Sequence, residues 1–183
     1  ADFAEYRDER LKTISAKSLK RQLSPLSNMF EVAKTEWGLP LKDNPLAALS
    51  LKVKDNKRVR RLREGELELI LRAAAQTRNP FVAPIIRLAI ETGMRRGEIL
   101  ALRWRNVSLA KAFVTVVESK NGYSRTVPLN LNALRILQEM RGITGPEKDN
   151  LVFPITPMSL RLAWNRLLRR AGIDDLHFHD LRH

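Results

Sequence analysis

The chain has 183 residues, 44% of them hydrophobic, so it can bury the core of one domain and part of a second. Its 33 lysines and arginines outnumber its 20 acidic residues and give a formal net charge of +13, which favours nucleic acid as a partner over an anionic membrane. The lack of cysteine excludes disulfides and thiolate metal sites, and the sequence shows neither a signal peptide nor an apolar run long enough to span a bilayer.

The first part of the chain, residues 1–48, is predicted to be helical. Residues 2–11 have apolar side chains at helical spacing, and Ser15 is a good N-cap residue for a longer amphipathic helix. Pro25 is expected to kink that helix, at a cost of about 3 kcal/mol if unrelieved, and Gly38 is expected to end it. Three basic side chains in its first turns either form a solvated face or contact a DNA backbone: Lys17, Lys20 and Arg21.

A strongly basic stretch, residues 49–62, comes next and shows neither a helical nor a strand period, which predicts an extended linker. Basic linkers are often only solvated. The charge density of this one, in a chain that is already basic, favours contact with phosphate groups. The predicted phosphate contacts are Lys52, Lys54, Lys57, Arg58, Arg60 and Arg61.

The remaining residues, 63–183, are predicted to form a second unit of helices and one hairpin. Residues 81–92 are apolar nearly all round, so we expect a central helix that ends at Gly93, with a short helix after it. Residues 113–119 and 123–128 are rich in Val and Thr and flank an Asn-Gly pair, which is typical of a β-hairpin. The other predicted elements are a helix around residues 67–74, a helix over 131–141 capped by Asn130, a short strand at 151–153, and a helix over 159–171 with one apolar and one arginine-rich face.

Three separated places carry side chains that suit an anionic oxygen, such as that of a phosphate. Arg95 follows a glycine turn at the start of a helix, where the helix dipole favours an anion, and Glu98 can clamp its guanidinium. Lys120 stands one residue before the hairpin turn, where it can reach into a groove. His179 and Arg182 are three residues apart and share a face if they are helical. Each feature also has an ordinary structural explanation, because arginine–glutamate pairs and solvated lysines at hairpin tips are common.

Five short segments stand in a fixed order along the second unit: Thr-Gly-Met-Arg-Arg-Gly-Glu at 92–98, Leu-Arg-Trp at 102–104, Ser-Lys-Asn-Gly at 119–122, Arg-Thr-Val-Pro-Leu at 125–129 and His-Asp-Leu-Arg-His at 179–183. In this order and at these separations they resemble the tyrosine recombinase (phage integrase) family. Residues 1–48 are more loosely similar to the later helices of that family's core-binding domain. The segment 177–183 is similar in particular to integrase and shufflon-type invertase members.

The resemblance implies a mainly α-helical fold with a small antiparallel β-sheet (α+β). A catalytic domain would be preceded by part of a helical core-binding domain. The expected boundaries are the C-terminal part of the core-binding, DNA-binding domain at 1–48, a basic linker at 49–62 and the catalytic domain at 63–183. Arg125, on the second hairpin strand, is predicted to be a further DNA contact.

The resemblance also implies a reaction on double-stranded DNA that needs no metal or nucleotide cofactor. A tyrosine attacks the scissile phosphodiester, and the 3′-phosphotyrosyl link that forms keeps the phosphodiester energy. Arg95 and Arg182 would grip the non-bridging oxygens, where charge builds up in the transition state. His179 would hydrogen-bond the same phosphate and assist proton transfer. Lys120 would protonate the departing 5′-oxygen, and Glu98 would orient Arg95.

In this family the tyrosine nucleophile follows the His-x-x-Arg motif. The chain has two tyrosines, Tyr6 and Tyr123, and neither matches that position. We therefore expect the catalytic domain to be truncated at its C-terminus, and the chain as given to bind DNA as a monomer without cleaving it. The complete protein is expected to form a tetramer on synapsed DNA in the bacterial cytoplasm, associated with the nucleoid and not with a membrane.

Two other classes of protein compete with this interpretation. A non-catalytic DNA-binding module, such as a repressor, explains the charge but not the four residues given catalytic roles. A zinc protein is suggested by the four-residue spacing of His179 and His183, but the sequence offers no evident third ligand. A structural role is the simplest explanation for His177 and His183 taken alone.

Overall fold

The structure is a computed structural model that describes residues 2–53, 59–117 and 124–182. The chain divides into two compact units, Ala1–Arg58 and Val59–His183. Within the described ranges, no helix combines the length and the apolar character needed to cross a lipid bilayer.

In its described residues, 2–53, the first unit contains two helices, α1 (Phe3–Leu11) and α2 (Ala16–Thr35). The Ser15 side chain accepts a hydrogen bond from the backbone N–H of Ser18 at 3.2 Å, so the predicted N-cap is confirmed. The α-helical assignment of α2 continues through Pro25. Its buried Leu19 forms the core of the unit with Leu23 and Leu46.

The chain after α2 stays attached to the first unit beyond the predicted boundary at residue 48. Asn44 is buried, and its side-chain amide donates to the backbone oxygen of Ser27 at 2.9 Å and to Glu31 Oε1 at 2.7 Å. Leu46 enters the core two residues later, and the partly buried Leu49 and Leu51 pack against that core. The start of the basic stretch is therefore held by apolar packing, which its lack of period does not reveal.

The second unit is built around α4 (Val82–Thr92), in which Val82, Ile85, Ile86 and Leu88 are fully buried. This confirms the predicted central helix. Gly93 ends it in the left-handed conformation, with φ of +60°, which glycine adopts without strain. The helices of this unit are α3 (Glu66–Ala75), α4 (Val82–Thr92), α5 (Arg96–Leu100), α6 (Leu131–Thr144) and α7 (Pro157–Ala171), with short 3-10 helices at Trp104–Asn106 and Phe178–Arg182.

A three-stranded antiparallel sheet lies between α5 and α6 in the chain, in the order β1 (Val107–Ser108), β2 (Phe113–Val116) and β3 (Arg125–Pro128). The two predicted hairpin strands are confirmed as β2 and β3, with Val116 opposite Arg125. The predicted turn at Asn121-Gly122 lies outside the described residues. The two-residue strand β1 is too short to leave a period in the sequence. The strand predicted at 151–153 is wrong, since only an isolated bridge joins Leu151 to Arg103.

The caps of the last two long helices show which sequence signals are reliable. Asn130 accepts from the backbone N–H of Ala133 at 2.8 Å and caps α6 as predicted, although the helix continues to Thr144. Helix α7 begins two residues before its predicted start, because Thr156 accepts from the backbone N–H of Ser159 at 3.1 Å. The mainly helical fold with a small antiparallel sheet is thus confirmed.

Candidate active site

The turn between α4 and α5 presents Arg95 in an extended backbone conformation, immediately before α5. Glu98, one turn into α5, is 6% exposed at its side chain and accepts two hydrogen bonds from Arg95. Its Oε2 receives the backbone N–H of Arg95 at 2.8 Å, and its Oε1 receives Arg95 Nη1 at 2.8 Å. The guanidinium of Arg95, with 43% of its side chain exposed, is therefore oriented from one side and open to solvent on the other.

Arg125, the first residue of β3, reaches the same carboxylate. Its Nη2 lies 2.5 Å from Glu98 Oε2, and its side chain is 37% exposed. Burial by itself would raise the pKa of the Glu98 carboxyl, but the hydrogen bonds from Arg95 and the positive charges of Arg125 and Arg95 outweigh it and hold that pKa below its ordinary value. Glu98 is therefore an ionised carboxylate shared by two guanidiniums.

Arg182 is the last residue of the second 3-10 helix. Although it is far from Arg95 and Arg125 in sequence, it lies close to them in space. Its Nε donates to the backbone oxygen of Gly93 at 2.6 Å, next to the turn that carries Arg95. Burial lowers the pKa of the Arg182 guanidinium from its ordinary value, and the nearby charge of Arg95 lowers it further. Among the described residues, two guanidiniums thus share one carboxylate, and a third, that of Arg182, lies close enough to interact with them electrostatically. This arrangement favours an anionic ligand.

Residues 177–180, just before Arg182, are positioned by a hydrogen bond and by an aromatic contact. The backbone N–H of His177 donates to Asp180 Oδ2 at 2.7 Å, and Asp180 is 3% exposed. The ring of Phe178 packs edge-on against Trp164 of α7, with centroids 5.3 Å apart. Buried Phe178 and Asp180 alternate with exposed His177 and His179, so His179 is presented at the surface on the same short helix as Arg182.

The structure brings together four of the predicted site residues, namely Arg95, Glu98, Arg125 and Arg182, with His179 on the helix that carries Arg182. The predicted contacts Lys17, Lys20, Arg21, Lys52 and Arg61 are exposed. Five predicted residues lie outside the described residues: Lys54, Lys57, Arg58, Lys120 and His183.

Arg60 occupies a different environment from that expected of a DNA contact. Its Nη2 lies 2.5 Å from Glu66 Oε1, and the two side chains are only 10% and 11% exposed. Glu66 Oε2 also accepts the backbone N–H of Arg63 at 2.7 Å. Arg60 is therefore paired with the start of α3. Its predicted contact with DNA is untested, but a guanidinium already paired with Glu66 is expected to contribute little to DNA binding.

The pairing of Arg125 with Glu98 is the part of the site that sequence reasoning missed. Arg125 was expected to contact DNA only, because nothing in the local pattern links residues that are 27 positions apart. A cleft of about 300 Å³ beside the 3-10 helix was also not expected; it is lined in part by Arg96, Arg161 and His177.

The zinc interpretation named His179 and His183, of which His183 lies outside the described residues. Within the described ranges there is no group of three or more His, Asp or Glu residues arranged to hold a metal ion.

Comparison with known proteins places this geometry in context. A model of the phage integrase family matches residues 60–183. The shufflon-specific DNA recombinase of Escherichia coli is 38% identical over 190 residues, an alignment that covers 100% of this chain and 48% of that protein. The integrase of Salmonella phage P22 is 28% identical over 176 residues, covering 88% of this chain and 44% of that protein. The chain thus spans about half the length of these relatives.

Solved structures share the fold at low sequence identity. A lambda integrase dimer bound to a COC′ core site matches 98% of this chain and 53% of its own, with a TM-score of 0.77 and 22% identity. The Tn1549 transposon integrase in complex with a circular intermediate DNA matches 98% of this chain and 68% of its own, with a TM-score of 0.77 and 16% identity.

Proposed function

The chain belongs to the phage integrase family, and from this we propose that the protein containing it is a site-specific DNA recombinase that cleaves and rejoins strands through a 3′-phosphotyrosine intermediate. The observation that carries the proposal is that Arg95 and Arg125 share the Glu98 carboxylate, with the guanidinium of Arg182 close by. A phosphodiester is an anion with two non-bridging oxygens, and guanidiniums recognise such oxygens through paired hydrogen bonds.

Arg95 and Arg182 are proposed to bind the two non-bridging oxygens of the scissile phosphate. Arg182 uses its Nε to bond Gly93, and its terminal Nη groups are the donors we assign to the phosphate. Arg95 is oriented by Glu98 through Nη1. Because both guanidiniums are positioned before DNA arrives, they stabilise the charge that develops on the oxygens without reorganising during the reaction.

Proton transfer is assigned to the remaining predicted residues. The tyrosine hydroxyl would attack phosphorus and lose its proton, while the 5′-oxygen would leave and gain one. His179, exposed on the helix of Arg182, is proposed to hydrogen-bond the phosphate and assist the first transfer. Lys120 is proposed to supply the second proton, a role that rests on the family resemblance.

We propose that the nucleophile lies outside the 183 residues. Tyr6 belongs to α1 of the first unit, and Tyr123 precedes the His-x-x-Arg motif that the nucleophile follows in the family. The chain alone would then bind DNA as a monomer and leave it uncleaved, whereas the complete bacterial protein would act as a tetramer on two synapsed duplexes. The unit at residues 1–58 would serve as the core-binding part and the unit at 59–183 as the catalytic part.

The test compares the complete protein with the 183-residue chain on DNA sites that the complete protein selects from a random duplex pool. Nicked versions of these sites trap a covalent intermediate, which migrates slowly in a denaturing gel. We expect an adduct with the complete protein and binding without an adduct for the chain alone. Specific binding with no adduct from the complete protein would instead support the repressor-like alternative.

The basic residues of the linker are expected to set the salt dependence of DNA binding. Replacing Lys57, Arg58 and Arg61 together with alanine should flatten the slope of log K against log salt by about 0.9 for each DNA phosphate that these side chains neutralise. Fluorescence anisotropy at several salt concentrations measures the slope.

Arg60→Gln is the matched control for this series. It removes the guanidinium that pairs with Glu66, so it should lower the melting temperature while leaving the salt slope unchanged. An unchanged slope in the triple variant would remove the linker from the DNA interface.

A further inference from the structure

We propose that Arg125 is a positioning residue of the phosphate site: it acts through Glu98 to orient Arg95 and to leave the charge of Arg95 available to the scissile phosphate. This inference rests on the proposed recombinase function and assigns Arg125 a role other than direct contact with DNA. It also gives a reason for a salt bridge that joins the turn end of β3 to α5.

The geometry makes Glu98 the link between the two arginines. Oε1 is bonded to Arg95 Nη1, whereas Oε2 accepts both the backbone N–H of Arg95 at 2.8 Å and Arg125 Nη2 at 2.5 Å. Arg125 therefore fixes the rotation of a carboxylate that in turn fixes the guanidinium of Arg95. Since the Glu98 side chain is only 6% exposed, water offers little replacement for a missing donor to Oε2.

The charge balance of the site supports the same role for Arg125. A carboxylate paired with Arg95 alone would neutralise the guanidinium that has to bind an anion. With Arg125 on the same carboxylate, two positive charges share one negative charge, and one net positive charge remains for the ligand. Arg182 adds a further positive charge close by, which the lowered pKa of its guanidinium reflects after the larger effect of burial. The site then suits the pentacovalent transition state, which carries more negative charge than the bound phosphodiester.

The alternative is that Arg125 binds a DNA phosphate directly, as its 37% exposed side chain permits. The two roles differ in what they change. A direct interaction contributes to the affinity for DNA and to its salt slope, by about 0.9 for each phosphate neutralised. A positioning residue leaves affinity and slope unchanged and slows the chemical step, because small displacements of a catalytic group reduce rates by up to about a hundredfold.

The experiment measures single-turnover adduct formation at saturating DNA, together with the dissociation constant at several salt concentrations, in the complete protein. The variants are Arg125→Gln, Arg125→Lys, Glu98→Gln and the double variant E98Q/R125Q. Arg105→Gln is the control, because Arg105 forms a salt bridge of the same kind with Asp149 at 2.8 Å but is exposed.

We expect Arg125→Gln to slow adduct formation about tenfold to a hundredfold with an unchanged dissociation constant and salt slope. Arg125→Lys should recover part of the rate, because it keeps a charged donor for Oε2. In the Glu98→Gln background the Arg125→Gln change should have little further effect, because its route to Arg95 is already broken. Arg105→Gln should behave like the unmodified protein.

Three results would overturn the proposal. These are a full rate in Arg125→Gln, effects of R125Q and E98Q that multiply in the double variant, and a salt slope reduced by about 0.9 in Arg125→Gln, which would show that Arg125 binds phosphate directly. A complete protein that forms no adduct on its selected sites would instead contradict the proposed function. The two failures are therefore distinguishable.

Discussion

Replacing Arg95 with alanine in the complete protein is expected to abolish covalent adduct formation, reducing the single-turnover rate by at least about a thousandfold. The change removes a guanidinium that is held by Glu98 and open to solvent, so the transition state loses donors placed in advance. It also leaves the buried Glu98 with one guanidinium partner fewer, which lowers the positive charge of the site. Adduct formation on a nicked site, quenched at short times, measures the rate.

Binding of the recognition site should change little in the same variant, because affinity is spread over many interactions with the DNA backbone. Arg105→Ala is the matched control, since it removes an arginine from an exposed salt bridge with Asp149. The melting temperature of each variant separates a defect in catalysis from a defect in folding. Adduct formation at an undiminished rate in a folded Arg95→Ala protein would remove Arg95 from the site.

Replacing Arg182 with lysine is expected to reduce adduct formation about a hundredfold or more, although the charge is conserved. Arg182 performs two tasks at once, since its Nε bonds the backbone oxygen of Gly93 at 2.6 Å while its terminal groups are assigned to the phosphate. The single ammonium group of lysine cannot hold Gly93 and bind a phosphate oxygen in the same geometry. Single-turnover rates at saturating DNA measure the effect.

The stability of the Arg182→Lys variant provides the control measurement. Removal of one hydrogen bond to Gly93 should cost about 1 kcal/mol of unfolding free energy, which is too little to unfold the domain. The dissociation constant for DNA should stay close to that of the unmodified protein. A lysine variant that cleaves at the normal rate would show that charge alone, and not guanidinium geometry, is what position 182 supplies.

Local signals predicted the elements of this protein well. Ser15 and Asn130 cap helices as expected, Gly93 ends the central helix, and the strands on either side of the Asn-Gly pair form the expected hairpin. Each of these signals acts between residues only a few positions apart. Where such a signal is weak the prediction is wrong: residues 151–153 are predicted to be a strand, but Leu151 forms only an isolated bridge with Arg103.

Long-range interactions decided how the predicted residues are used. Arg60 resembles the five other basic linker residues in sequence, but its pairing with Glu66 depends on how residues 59–66 fold. Likewise, the attachment of Leu46 and Leu51 to the first unit depends on a hydrophobic core that no periodicity in residues 44–53 announces. Buried ion pairs and packing are properties of the folded chain.

The sequence by itself determined the family, the mainly helical fold and the candidate anion-binding residues. Composition, motif order and cap residues can all be read without knowing which distant residues meet in the fold. Tertiary structure alone decided that Arg125 shares Glu98 with Arg95 and that Arg182 bonds Gly93. The bond between Arg125 and Glu98 joins residues 27 positions apart, and the bond between Arg182 and Gly93 joins residues 89 positions apart. The charge balance of the site therefore exists only once α5, the start of β3 and the last 3-10 helix are brought together in the fold, since Coulomb interactions depend on distance in space and not along the chain.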